Sequence, residues 1–304
     1  MYIRSNFYVK FNEFEKLISR NLDKRGLDKV NLTGQIESCV KSLNLSQTVV
    51  IVTGFVIKSA GVGETDGPPG ALALAYSLER LRKKVVIVTD KYSEKFLKIG
   101  AELLNLEASI HIFEENMEDQ QAEQIINEYE PDHIIAIERP GRNIENKCYS
   151  MMGEDITEFC PNTDLLFIKA KQHNIRTSAV GDGGNEVGMG KVSDVVKKHV
   201  FKGNIICAQV ETDSLIVAGV SNWGAFAICA GLCITNNKII MYGEETYEDV
   251  LEKIVKAGAV DGCSKKNEAT VDGLSYEENL SIFIKLKTTA ENSVKYTVSK
   301  ALNV

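Results

Sequence analysis

Residues 48–53 read Thr-Val-Val-Ile-Val-Thr, and the chain then passes through Gly54-Phe55 and Gly61-Val62-Gly63-Glu64-Thr65-Asp66-Gly67-Pro68-Pro69-Gly70-Ala71 into a helical pattern over 71–81. An unbroken apolar strand followed by a glycine-rich turn and a helix is the unit from which parallel sheets are wound. The same succession recurs. Asp90 follows the apolar run 85–89. Glu138-Arg139-Pro140-Gly141-Arg142 follows 134–137, and Gly181-Asp182-Gly183-Gly184-Asn185-Glu186-Val187-Gly188-Met189-Gly190 follows 175–180. Strands are expected at 48–53, 84–89, 109–113, 133–138, 175–180 and 205–210, with helices at 69–82, 93–104, 118–129 and 160–173. Strands alternating with helices of this length predict an α/β fold: a mainly parallel, doubly wound, Rossmann-like sheet flanked by helices. In such sheets ligands bind beyond the carboxyl ends of the strands, where these acids and glycines fall.

Outside that core the pattern is plainer. Phe11, Phe14, Leu17 and Ile18, then Ile36, Val40 and Leu43, recur at helical spacing, so 1–45 reads as a helical N-terminal part. Pro68 and Pro69 suit the first turn of a helix capped by Thr65 or Asp66, and Pro161 would open the helix that ends near His173. After Lys191 a short strand over 213–220 and helices near 225–232, 246–257 and 276–287 are expected. With no Pro-, Gly- or Ser-rich linker in sight, one domain over 1–304 is expected, with 191–304 covering the sheet edge or forming a lid.

Composition narrows the function. Of 304 residues 44% are apolar and 25% charged, the net charge is −7 and the pI about 5.4. The chain carries no basic stripe, which argues against a nucleic-acid partner. No apolar run approaches the roughly 18 residues of a membrane helix, and Met1-Tyr2-Ile3-Arg4-Ser5-Asn6 has no signal-like apolar region, so a cytoplasmic protein is expected. Seven scattered cysteines without CxxC read as reduced thiols, with Cys229 and Cys233 in a core helix.

The loops resist the common nucleotide motifs. GxxxxGK[ST] is missing, and Gly61-Val62-Gly63 meets Asp66 where GxGxxG needs its third glycine. The first loop still feeds a helix N-terminus, which attracts an anion. Glu64 and Asp66 would repel a polyphosphate, so a small carboxylate-bearing molecule or a metal chelate fits better; Asp66 is equally suited to capping. In the second loop, five glycines within ten positions imply sharp turns or close approach to a ligand. Asp182 and Glu186 there can form an acid pair or offer oxygen to a metal. Arg139 and Arg142 suit bidentate carboxylate recognition, or ion pairs with neighbouring acids. The four histidines form no HxH or HExxH, and GxSxG is absent. Trp223 in Ser221-Asn222-Trp223-Gly224 serves a pocket wall or the core.

These segments resemble the D-glutamate cyclase family. The likeness runs in order over about 30–290, through Thr53-Gly54-Phe55, Glu64-Thr65-Asp66-Gly67-Pro68-Pro69-Gly70-Ala71, Val88-Thr89-Asp90, Glu138-Arg139-Pro140-Gly141-Arg142, Met151-Met152-Gly153-Glu154-Asp155-Ile156, the second glycine loop, Ser221-Asn222-Trp223-Gly224-Ala225 and Gly258-Ala259-Val260-Asp261-Gly262. It departs at Phe55-Val56-Ile57-Lys58, where the family pattern has a proline near 56. The resemblance implies dehydration of D-glutamate to 5-oxo-D-proline without an organic cofactor. Larger relatives with an extra N-terminal domain are mitochondrial. For that chemistry Asp66 or Asp182 is the expected base and Glu64 or Glu186 the acid. Arg139 or Arg142 would hold the α-carboxylate, and the N–H groups of Gly183 and Gly184 the oxyanion. Gly67, Asn185, Asn222 and Trp223 would surround the substrate. A divalent ion, Mn²⁺ or Mg²⁺, would sit on Asp66, Asp90, Asp182 and Glu186. The remaining expectations are a small acidic amino acid as partner and a homo-oligomer. The rival readings are a metal-dependent nucleotide or phosphate enzyme and a non-catalytic small-acid-binding protein. All rest on the Asp66, Asp90, Arg139 and Asp182 neighbourhoods meeting at one cavity.

Overall fold

The computed structural model describes residues 2–302, with side chains described from 10 to 295. Among the described residues eight strands form in chain order: β1 (Thr48–Thr53), β2 (Val56–Ile57), β3 (Val62–Gly63), β4 (Lys84–Thr89), β5 (Ser109–Ile112), β6 (His133–Ile137), β7 (Arg176–Gly181) and β8 (Ser214–Val217). Six of them make one parallel sheet in the order β5-β4-β1-β6-β7-β8, and β2 and β3 pair as a small antiparallel hairpin. This is the doubly wound, Rossmann-like α/β sheet that the alternation predicts. The winding reverses between β1 and β6, so the crevice beyond their carboxyl ends is the topological switch point where ligands bind in such sheets.

The two-residue period of the strands splits the core into two layers. Val49 and Ile51 of β1 pack into one cluster with the helices Pro68–Arg80, Glu94–Leu104 and Ser221–Thr235. Val50 and Val52 face the opposite cluster with Glu118–Tyr129, Asp164–Gln172 and Ser193–His199. Burial on both faces explains why β1 reads as unbroken Val and Ile. Phe11, Phe14, Ile18, Ile36, Val40 and Leu43 are buried on the first layer, as their helical spacing implies. Cys229 and Cys233 are buried in the same layer.

Two expected elements differ. The segment 205–210 is not a strand. A short helix, Gly203–Ile206, is followed by backbone whose Ala208 and Gln209 N–H groups donate to Gly184 and Arg142, which ties it to the loops instead of the sheet. The sixth sheet strand is β8, within the 213–220 stretch. The helix expected over 160–173 starts at Asp164, because the Pro161 carbonyl points to the Arg139 guanidinium and leaves 160–163 outside it.

The helices Pro68–Arg80 and Ser221–Thr235 cap each other across the crevice. Asp66 accepts from the backbone N–H of Ser221 (2.8 Å) and Asn222 (2.8 Å), and Asn222 Oδ1 accepts from those of Gly67 (3.1 Å) and Gly70 (2.7 Å). The expectation that Asp66 caps its own helix is therefore corrected: its main donors belong to the helix that begins 155 residues later. Each such cap is worth roughly 0.5–2 kcal/mol. Together they pin a C-terminal helix to the first loop.

Gly219, after β8, lies so close to the N-terminal segment that a Cβ would stand 1.7 Å from the Arg20 carbonyl oxygen, and its N–H donates to Ile18. Backbone cannot yield there. Gly219→Ala is expected to cost about 1–3 kcal/mol, the usual penalty of overpacking, measurable as a lowered denaturant midpoint.

Candidate active site

The crevice opens into a cavity of about 720 Å³. Five of its charged residues come from separated segments. Glu64 follows the β2–β3 hairpin, Glu138 stands at the end of β6 and Asp182 at the end of β7. Arg25 closes the short helix Leu22–Arg25, and Asp272 lies in the turn before the last helix. Asp66, Glu138 and Asp182 are each buried and place one carboxylate oxygen apiece within 4.8 Å of one another. Gly67 makes this possible. Its φ is +96°, and a Cβ on it would come within 2.8 Å of Glu138 Cβ. Glu138 itself has φ +44°, a left-handed conformation that costs a non-glycine residue about 1–3 kcal/mol and tends to persist at functional sites.

The cluster is held by a few strong contacts. Arg25 Nη1 donates to Asp182 Oδ1 at 2.7 Å, and its Nη2 pairs with Asp272 at 2.9 Å. Ser221 Oγ donates to Glu138 at 2.6 Å. Asp182 Oδ2 is buried without a hydrogen-bond partner.

Crowding sets the protonation. Burial, with the charges of Asp272 and Asp66, holds Glu64 well above the usual carboxylate range. Burial with Glu186, Asp66 and Glu64 does the same to Glu138. Asp182 is raised too, by burial first, against the pull of Arg25. Asp66 is pushed up to about 8 by burial and Asp272, despite its backbone donors. Burial pulls the Arg25 guanidinium down, but Asp182 and Asp272 more than offset it and keep it cationic. All four carboxyl groups are thus shifted toward the protonated form, and Asp66, at about 8, lies near neutral pH, where a group exchanges protons most effectively.

The expected site residues separate into those that reach the cavity and those that build its walls. Glu64, Asp182 and Asn185 line it, and Asp66 joins Glu138 and Asp182 in the cluster. Glu186 turns inward, accepting the N–H groups of Asp182 (3.2 Å), Gly183 (2.6 Å) and Gly184 (2.7 Å). Those N–H groups are thus committed to shaping the loop and are not open to an oxyanion. Asp90, expected beside the metal, pairs instead with Arg139. Arg139 is fully buried and also donates to the carbonyls of Gly54 and Pro161 and to Thr163 Oγ1, so four of its five N–H donors are committed within the wall. Arg142 donates to the carbonyls of Asn146 and Cys160. Asn222 serves the helix caps, and Trp223 is buried with its Nε1 donating to Asn279.

Three residues of the site were not singled out from the sequence: Arg25, Glu138 and Asp272. Glu138 ends a strand like Asp182, and that position alone marks it. Arg25 sits in a segment whose apolar period drew attention away from its charge. Asp272-Gly273 reads as an ordinary turn. Nothing local connects either to the sheet edge.

Known proteins match over most of this length. The family model described as D-glutamate cyclase-like, C-terminal, matches residues 14–287. The human protein named D-glutamate cyclase, mitochondrial, is 32% identical over 292 residues, which cover 91% of this chain and 46% of that protein. The chain thus spans about half the length of the curated relative it matches. A crystal structure of an exopolyphosphatase-related protein from Bacteroides fragilis superposes with a TM-score of 0.43 at 14% identity, over 88% of this chain and 62% of that one. A likeness at that level carries neither fold nor function. The family match and the human relative agree, and on them the chain belongs to the D-glutamate cyclase-like, C-terminal family.

Proposed function

We propose that the chain is a lyase that cyclises D-glutamate to 5-oxo-D-proline and water. The observation that carries this reading is the buried group Asp66–Glu138–Asp182, with Glu64, beside the cation Arg25 at the floor of one cavity.

The reaction moves two protons. The substrate ammonium loses one to become a nucleophile and a second as its nitrogen bonds to the γ-carbon; the departing oxygen takes up two and leaves as water. Asp182 is the base we assign. It lines the cavity with an unpartnered Oδ2, and although burial raises it, its ion pair with the Arg25 cation favours the ionised form that a base requires. Glu64, held protonated by burial, is the acid that delivers one to the leaving oxygen. Arg25, with two acids around it, can trade part of its pairing with Asp272 for the α-carboxylate of the substrate; a guanidinium suits that planar partner. The low-dielectric floor strengthens each of these interactions.

The donor set also fits a divalent ion. Three carboxylate oxygens converge, one acid has an orphaned oxygen, and hard cations take oxygen ligands. Asp66, Glu138 and Asp182 would hold it, and it would polarise the γ-carboxyl as a Lewis acid. Among the described residues no helix is long and apolar enough to cross a membrane.

Purified protein is incubated with D- or L-glutamate, in Mn²⁺, Mg²⁺ or EDTA, and 5-oxoproline is followed by chiral chromatography. Formation of 5-oxo-D-proline, with the L isomer poorer, is the expected result. No product from either isomer under any ion condition would overturn the assignment.

A further inference from the structure

The cavity is larger and less polar than free glutamate requires. Its roughly 720 Å³ falls in the range of about 300–1,000 Å³ typical of sites for drug-sized ligands, and an amino acid seated on the acidic floor fills only a fraction of it. Part of the remaining wall is apolar, formed by Phe55, Ile57, Met151, Met152, Phe201 and Leu274, and it alternates with polar residues that include Asp23 and His199. Met152 and Phe201 are 65% and 60% exposed at the mouth, unusual for side chains of that size, and Lys202 Nζ donates to the Met152 carbonyl at 2.7 Å, joining the two segments that carry them. Exposed apolar surface continuous with a catalytic cavity marks a place where ligand is received. Lys24 and Lys265 also line the cavity.

We infer that the site also accepts γ-glutamyl amides of the D configuration, releasing 5-oxo-D-proline and a free amine whose apolar part rests on Met152 and Phe201. This rests on the assignment above, in which the α-amine attacks the γ-carbonyl beside Arg25. That assignment leaves one position for an extension. The α-amine is the nucleophile and must be free, and the α-carboxylate is needed by Arg25. Only the γ-carbonyl can carry a substituent, and a substituent there is the leaving group. The bond from the α-nitrogen to the γ-carbon forms and the bond from the γ-carbon to the amide nitrogen breaks. The two protons lost by the substrate ammonium end on the departing nitrogen, which leaves as an ammonium ion. The step needs no oxidant, reductant or second substrate. An amide carbonyl is also a better electrophile than a free carboxylate, so the same acids have less to do. When the amine is an amino acid, its carboxylate finds Lys24 and Lys265 on the same wall.

The probe is γ-D-glutamyl-L-phenylalanine, with free D-glutamate, the γ-L-glutamyl isomer and D-glutamate α-phenylalanylamide as parallel arms, and phenylalanine release as readout. The expected result is release from the γ-D isomer with kcat/KM at least equal to that for D-glutamate. Phe201→Ser and Met152→Ser should each raise KM for the amide at least fivefold more than KM for D-glutamate. Absence of phenylalanine release from the γ-D isomer overturns the inference, as does faster release from the α-amide. Release from the γ-D amide without cyclisation of D-glutamate would uphold the inference and overturn the free-acid reading, so the two fail separately.

Discussion

Asp182→Asn should lower kcat for D-glutamate by at least about 100-fold, the low end of what a positioned acid or base contributes, and leave the protein folded. Asn keeps the oxygen that accepts from Arg25, so that 2.7 Å contact survives. Its new amide group takes the place of the Oδ2 that has no hydrogen-bond partner, and it can donate toward Glu138 or Asp66, whose oxygens lie within 4.8 Å. The change therefore relieves crowding while deleting the proton acceptor proposed above. Stability should move in a direction set by linkage. Burial raises the Asp182 carboxyl in the folded chain. A carboxyl raised in this way favours the folded state at low pH and loses that contribution as pH rises through its folded value. The wild type should thus lose thermal stability toward alkaline pH, and the Asn variant should lose less. Steady-state kinetics and a pH series of melting curves check both. A variant that turns over at the wild-type rate would remove Asp182 from the chemistry.

The sheet was legible because its signals are local. Val49-Val50-Ile51-Val52 and Val85-Val86-Ile87-Val88 are apolar at every position, as strands buried on both faces must be. The acids at strand ends followed from the same register, since residues at carboxyl ends gather along one edge. Which of them point into the cavity did not follow. Glu138 and Arg139 are neighbours in sequence, yet one faces the cavity and the other pairs with Asp90 in the wall. Glu186 is four residues from Asp182 and spends its carboxylate on three N–H groups of its own loop. Such choices depend on which partner a side chain meets, and those partners lie far off along the chain. Arg25 shows the limit best: its two acids are 157 and 247 positions away. The false strand at 205–210 failed for a related reason, because Ala208 and Gln209 spend their N–H groups on the loops beside the site.

Asp90→Ala carries the second large effect, and it separates wall from floor. Asp90 and Arg139 form an ion pair with side chains 1% and 0% exposed. Removing one partner of a buried pair leaves an uncompensated charge and costs about 3–5 kcal/mol. In a chain of this size that corresponds to a fall in Tm on the order of 10 °C. Asp90→Ala/Arg139→Met should recover part of the loss, because it removes the orphaned cation. Recovery stays partial, since the carbonyls of Gly54 and Pro161 and the hydroxyl of Thr163 lose the donor they share. Below its melting point the single variant should show the same response to added Mn²⁺ as the wild type, because the oxygens that converge belong to Asp66, Glu138 and Asp182. Glu138→Gln should show the opposite pattern, a small change in Tm and a lost response to the ion. If Asp90→Ala kept its stability and lost the ion response instead, Asp90 would be a ligand and the division of acids between wall and floor would be wrong.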